Sequence, residues 1–128
     1  MRYCALLSLT LFLLLTSCGN PLPELKDVDL TAWKADKNGC SGKRQESIEA
    51  LRSQLTLLQG LSEMEVIAML GKPDQNELYK RNQKFYYYFL EAGPACINPV
   101  EKPLRLSVRF NAVGLAKEVL VERMLVSG

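Results

Sequence analysis

The chain has 128 residues, 16 Lys plus Arg against 14 Asp plus Glu, and no His. That length holds one small domain. A net charge of +2 is too balanced for a nucleic-acid-binding surface. The missing His excludes His-based general-base catalysis, Ser-His and Cys-His nucleophile pairs, and the commonest metal ligand.

Met1–Cys18 reads as an export signal. Arg2 supplies the positive start, and Ala5–Leu15 is a nearly unbroken apolar run. The run is too short for a membrane-spanning helix of about 20 residues. It ends in Leu15-Thr16-Ser17-Cys18, which resembles the bacterial lipobox. The resemblance implies a signal peptide over residues 1–17, cleavage before Cys18, and acyl chains (palmitate among them) on that Cys. The alternative is an ordinary secretory signal that ends in Cys. Two or more acyl chains anchor stably, whereas one is marginal. Gly19 follows the Cys, where an Asp is the retention signal in the enterobacterial sorting rule. By that analogy the chain is expected at the outer membrane, lipid-anchored and facing the periplasm.

Residues 18–42 form the lipidated Cys, a linker, and a segment containing Trp33 and Cys40. Pro21 and Pro23 stiffen Gly19–Asp29, which has little to bury. Leu30–Lys37 reads as a brief helix between an Asp29 N-cap and a Gly39 stop. Trp33, the only Trp, either docks on the domain or stays exposed for a partner, since Trp is enriched in binding hot spots.

Residues 43–124 read as an α+β domain. Gln45–Gln59 is amphipathic at helical spacing, with Ile48, Leu51, Leu55 and Leu58 on one stripe and Ser41 or Ser47 as its start. Gly60–Asp74 is the best-specified stretch. Ser62 and Glu65 form a capping box, Leu61 and Val66 a hydrophobic staple. Met64, Val66, Ile67 and Leu70 form the apolar face. Gly71 and Pro73 stop the helix, which therefore spans Glu63–Leu70.

From Gln75 the period changes to two. Asn76–Lys80 is a candidate strand with Leu78 inward, followed by a turn at Arg81–Gln83. Lys84–Leu90 is a strand with Phe85, Tyr87 and Phe89 on the inner face, and Tyr86 and Tyr88 outside. After a Pro-rich loop over Glu91–Pro103, Leu104, Leu106, Val108 and Phe110 alternate inward. Leu115, Val119 and Val121 do the same on the last strand. The expected architecture is a helix pair packed on one face of a three- or four-stranded antiparallel sheet.

The motif Gly60-Leu61-Ser62-x-x-Glu65-Val66-x-x-Met69-Leu70-Gly71-x-Pro73-Asp74 resembles the signature of the SmpA/OmlA (BamE-like) family of small outer-membrane lipoproteins. Leu106-x-Val108-x-Phe110-x-x-x-Gly114 resembles that family's penultimate strand and turn. The likeness covers about Gln45–Val121. Asn111 stands where the family usually has Asp, and the Trp33–Cys40 segment has no counterpart. The resemblance implies a non-enzymatic lipoprotein that scaffolds or modulates an envelope protein complex, as accessory lipoproteins of β-barrel assembly do. A second reading is a binding or inhibitor module that uses its sheet face.

No phosphate loop, carboxylate dyad or metal-spaced cluster stands in the sequence, so no cofactor, metal or small-molecule substrate is expected. Candidate partner-binding residues are Trp33, Tyr86, Tyr88, Arg105 and Arg109. The tyrosines read equally as strand packing, and the arginines as cross-strand partners of Glu118 and Glu122. Cys4 leaves with the signal and Cys18 takes lipid. Cys40 and Cys96 remain in a compartment that permits disulfides, so a bridge between them is expected over two buried thiols. Two Cys without His make a poor zinc site.

Overall fold

A computed structural model describes residues 21–125. The expected signal segment and Cys18 lie outside the described residues. Short helices precede a four-stranded antiparallel meander in the order β1-β2-β3-β4. The helices are α1 (Leu30–Ala35), α2 (Ile48–Arg52) and α3 (Glu63–Leu70). The strands are β1 (Gln75–Tyr79), β2 (Gln83–Phe89), β3 (Leu104–Phe110) and β4 (Ala116–Arg123).

α3 forms where its caps place it. Ser62 Oγ accepts from the Glu65 N–H at 3.2 Å, and Glu65 Oε1 accepts from the Ser62 N–H at 3.0 Å. The reciprocal bonds satisfy donors that the first turn leaves unpaired. Gly71, at φ 83°, ends the helix. Val66, Met69 and Leu70 make the buried face. Met64, expected on it, is instead 74% exposed, because the buried positions run i, i+3, i+4 from Val66 and Met64 falls off that arc.

The single helix expected over Gln45–Gln59 is three pieces: a 3₁₀ turn at Gln45–Ser47, α2, and a second 3₁₀ turn at Leu55–Leu58. Its apolar stripe survives, with Leu51 and Leu58 fully buried and Ile48 and Leu55 packed against the core. The break has a polar cause. Ser53 Oγ and Gln54 Nε2 both donate to the Ala50 carbonyl, at 2.8 and 2.9 Å. Such back-bonding competes with the helical ladder. Gln54 also grips Lys26 from both sides, accepting from its N–H at 2.7 Å and donating to its carbonyl at 2.8 Å. The second half of the linker is therefore bound. Leu25 and Val28 enter the core, contrary to the expectation of a segment with little to bury.

The sheet corrects the strand phase. Tyr86 pairs with Val108, and Tyr88 with Leu106, so these tyrosines share the inner face with the β3 aliphatics. Tyr86 is 9% and Tyr88 0% exposed. Phe85, Tyr87 and Phe89 point outward. An all-aromatic run is apolar on both sides, so alternation alone cannot set its phase; the register with β3 does. Polar tips make the inward tyrosines tolerable. Tyr86 Oη donates to Glu63 Oε1, and Tyr88 Oη to the Gly71 carbonyl, both at 2.8 Å.

Two aliphatic assignments also change. Leu78 lies on the inner side by register but is 76% exposed, because β1 is exposed along its whole length. Leu115 is 40% exposed, and Ala116 takes the core position opposite Phe110. A register shift beside Phe110 leaves Lys117 as the extra residue of a bulge. The β1–β2 turn holds Arg81 and Asn82 at φ 60°, the positive values a tight hairpin requires.

The N-terminal segment is tied to the sheet by a buried polar network. Arg44 Nη1 lies 2.6 Å from Asp74 Oδ2, their side chains 2% and 3% exposed. Arg44 Nε donates to the Trp33 carbonyl at 2.9 Å. Asp74 also accepts from the N–H groups of Asn38 and Phe89, at 3.0 and 2.8 Å. Asp36 accepts from the Ser41 hydroxyl and from the Ser41 and Arg44 N–H groups. Burial would raise the Asp36 pKa. The Ser41 and Arg44 bonds and the Arg44 charge outweigh it and hold the carboxyl below its ordinary value.

The expected Cys40–Cys96 disulfide is present, with Cα atoms 5.5 Å apart. Beside it the backbones come too close for any side chain. A Cβ on Gly39 would meet the carbonyl oxygens of Glu91 and Phe89 at 2.7 and 2.8 Å. A Cβ on Gly93 would come within 2.7 Å of the Phe89 ring. The loop after β2 therefore folds over Phe89, which is buried although it lies on the outer face.

Candidate partner-binding face

The outer face of the sheet is built by alternation. β2 gives it Phe85 and Tyr87, β3 gives Arg105, Ser107 and Arg109, and β4 gives Glu118, Leu120 and Glu122. Phe85 and Tyr87 stack at 5.8 Å between centroids, and Tyr79 meets Phe85 edge-on at 5.7 Å. The Arg105 guanidinium lies 3.7 Å from the Tyr87 ring centroid, a cation–π contact. The expected cross-strand pairs form, with Arg105 3.6 Å from Glu122 and Arg109 3.4 Å from Glu118. Arg109 also donates to Gln83 Oε1 at 2.8 Å.

A groove of about 500 Å³ on this face is lined by Gln75, Glu77, Tyr87, Pro94, Arg105, Met124 and Leu125. Arg105 Nε is the one buried side-chain atom without a hydrogen-bond partner among the described residues. Tyr87 Oη donates to Glu77 Oε2 at 3.0 Å. Burial, then that hydrogen bond, pushes the Tyr87 phenol up to about 12, while the Arg105 charge pulls the other way. Tyr79 and Leu120 are 50% and 41% exposed, so part of the platform meets solvent.

Of the five candidates named from sequence, Arg105 and Arg109 stand on this face together. The other three do not. Trp33 is 1% exposed, its Nε1 donating to the Leu70 carbonyl at 3.0 Å and its ring 6.1 Å from that of Tyr88. It docks on the domain, and its side chain is withdrawn from partners. Tyr86 and Tyr88 are inside for the register reason given above. Burial and Glu63 raise the Tyr86 phenol to about 12, and burial raises Tyr88 further. Both therefore stay neutral at physiological pH. The outer residues that sequence reasoning missed are Tyr79, Phe85, Tyr87 and Leu120. A signal was available: Arg105 and Arg109 must face outward, and whatever lies opposite them on β2 must share that side.

No helix among the described residues is long and apolar enough to cross a membrane. No group of three or more His, Cys, Asp or Glu among them is placed to hold a metal ion. No protein-family model, curated protein or solved structure matches the chain.

Proposed function

We propose that this chain is a non-enzymatic envelope lipoprotein, anchored at the outer membrane through acyl chains on Cys18, that scaffolds or modulates a protein complex through the outer face of its sheet. The observation that carries the reading is the outer-face groove. Tyr87 and Arg105, an arginine with an unfilled donor, line it, and Phe85, stacked on Tyr87, and the partly exposed Leu120 and Tyr79 stand on the same face. Tyr and Arg are the side chains that dominate protein–protein hot spots. A buried donor left unpaired costs stability unless something fills it. The lipobox-like Leu15–Cys18 and the likeness to the SmpA/OmlA signature support the compartment and an envelope protein as partner.

Two measurements test this. Intact-mass analysis of the membrane fraction is expected to give a mature species that begins at Cys18 and carries acyl mass. Any other start, or no acyl mass, contradicts the anchor. Affinity purification from gently solubilised membranes is expected to recover an outer-membrane β-barrel protein with the chain. Recovery of the lipoprotein alone contradicts the scaffold role.

A further inference from the structure

A second cavity, of about 210 Å³, shares no lining residue with the outer-face groove. It opens where α1, the Asn38 turn and the Gly71–Asp74 loop meet. Arg44 forms its floor, and Lys34, Lys37 and Lys72 stand around it.

Two observations give the cavity a chemical preference. The first is charge. Asp74 is the one acidic residue in the lining, and its oxygens are already committed to Arg44 and to the Asn38 and Phe89 N–H groups. It cancels Arg44 and leaves three lysines. Lys34 Nζ donates to the Ala68 carbonyl at 3.1 Å. The ammonium groups of Lys37 and Lys72 have no partner among the described residues. The second is an arginine with one nitrogen uncommitted. Arg44 Nε is on the Trp33 carbonyl, and Nη1 is on Asp74 and the Phe89 carbonyl. Nη2 has no hydrogen bond to the described residues. A guanidinium so fixed presents its remaining N–H groups in a set direction, and lysines on a rim add point charge.

We infer that this cleft binds a phosphate-type oxyanion, held by Arg44 Nη2 at the floor and by Lys37 and Lys72 at the rim. The volume suits a small anion rather than a drug-sized ligand, whose pockets begin at about 300 Å³. The oxyanion comes either free in solution or as the phosphodiester of a lipid headgroup.

The test follows amide hydrogen exchange of the full mature chain in neutral detergent, with inorganic phosphate against chloride at equal ionic strength. Phosphate is expected to give saturable protection at Asn38 and across Gly71–Asp74. The double variant Lys37→Glu, Lys72→Glu is expected to melt as the parent does, since both side chains are exposed, and to bind at least about tenfold more weakly, given the worth of charged hydrogen bonds. Arg44→Lys should also lose binding, and the double variant decides the matter if that protein folds poorly. In a second arm the chain is reconstituted in vesicles with a glycerophosphate headgroup or with a choline headgroup. Protection in the anionic vesicles alone, lost in the double variant, supports the site with a lipid as source. Protection by inorganic phosphate without any vesicle effect supports it with a soluble source. Protection by phosphate no greater than by chloride, or unchanged in the double variant, overturns the inference.

Discussion

Trp33 couples the N-terminal segment to both layers at once. Its indole donates to the last carbonyl of α3, its own carbonyl accepts from Arg44, and its ring packs near Tyr88. Trp33→Phe removes the donor and leaves the buried Leu70 carbonyl unpaired, so denaturant melts should show a loss of about 1–3 kcal/mol. Asp36 gives the network a pH signature. Its folded pKa lies below the ordinary value of 3.8, so its contribution is present above the unfolded pKa and is lost as pH falls through the folded one. Asp36→Asn should flatten the acid branch of a stability–pH profile below about pH 4 while lowering stability at neutral pH. An unchanged acid branch would mean that Asp36 does not carry this linkage. On α3, Ser62→Ala should cost about 1 kcal/mol as a lost N-cap, and Leu70→Ala, fully buried, about 2–5 kcal/mol. The reverse order in denaturant melts would contradict the placement of the helix.

Among the elements, legibility followed the number of independent local signals. α3 was readable because cap, staple, face and stop agree within one short stretch. β3 was readable because charges alternate with aliphatics. β2 was readable as a strand but not in phase, since Phe85–Phe89 offers an aromatic at every position. The second helix was over-read because its apolar stripe continues through Ser53 and Gln54, whose side chains turn back on Ala50. The Arg44–Asp74 pair was not legible at all. Its partners lie 30 positions apart, and nothing local marks either residue as buried. The phase of β2 has a direct consequence. Changing Tyr86 and Tyr88 together to Ser should abolish cooperative folding, since removing one buried aromatic side chain already costs about 3–5 kcal/mol. Leu120→Ser, on the partly exposed outer face, should stay within about 0.5 kcal/mol. Near-equal melts for the two proteins would reverse the faces again.

At the scale of the whole molecule, one covalent bond and one buried ion pair hold the N-terminal segment against the sheet. The Cys40–Cys96 bridge was legible by counting, because the other two of the four Cys are assigned from sequence to a signal and a lipid anchor. It joins positions 56 apart, which in the chain-entropy view is worth about 4 kcal/mol, a large share for a domain whose total is about 5–15 kcal/mol. Reduction should therefore lower the melting temperature and shift the fluorescence of Trp33; an unaltered melt would show the bridge to be energetically idle. The same clasp fixes the loop after β2 over Phe89 and so completes the outer face. The functional account rests on that face. Its most direct test is site-specific photocrosslinking in intact membranes from Leu120, on the outer face, compared with the exposed Leu57 among the helices. The account predicts an adduct with an outer-membrane β-barrel protein from Leu120 and none from Leu57. No adduct from Leu120, or equal yields from both positions, would contradict it.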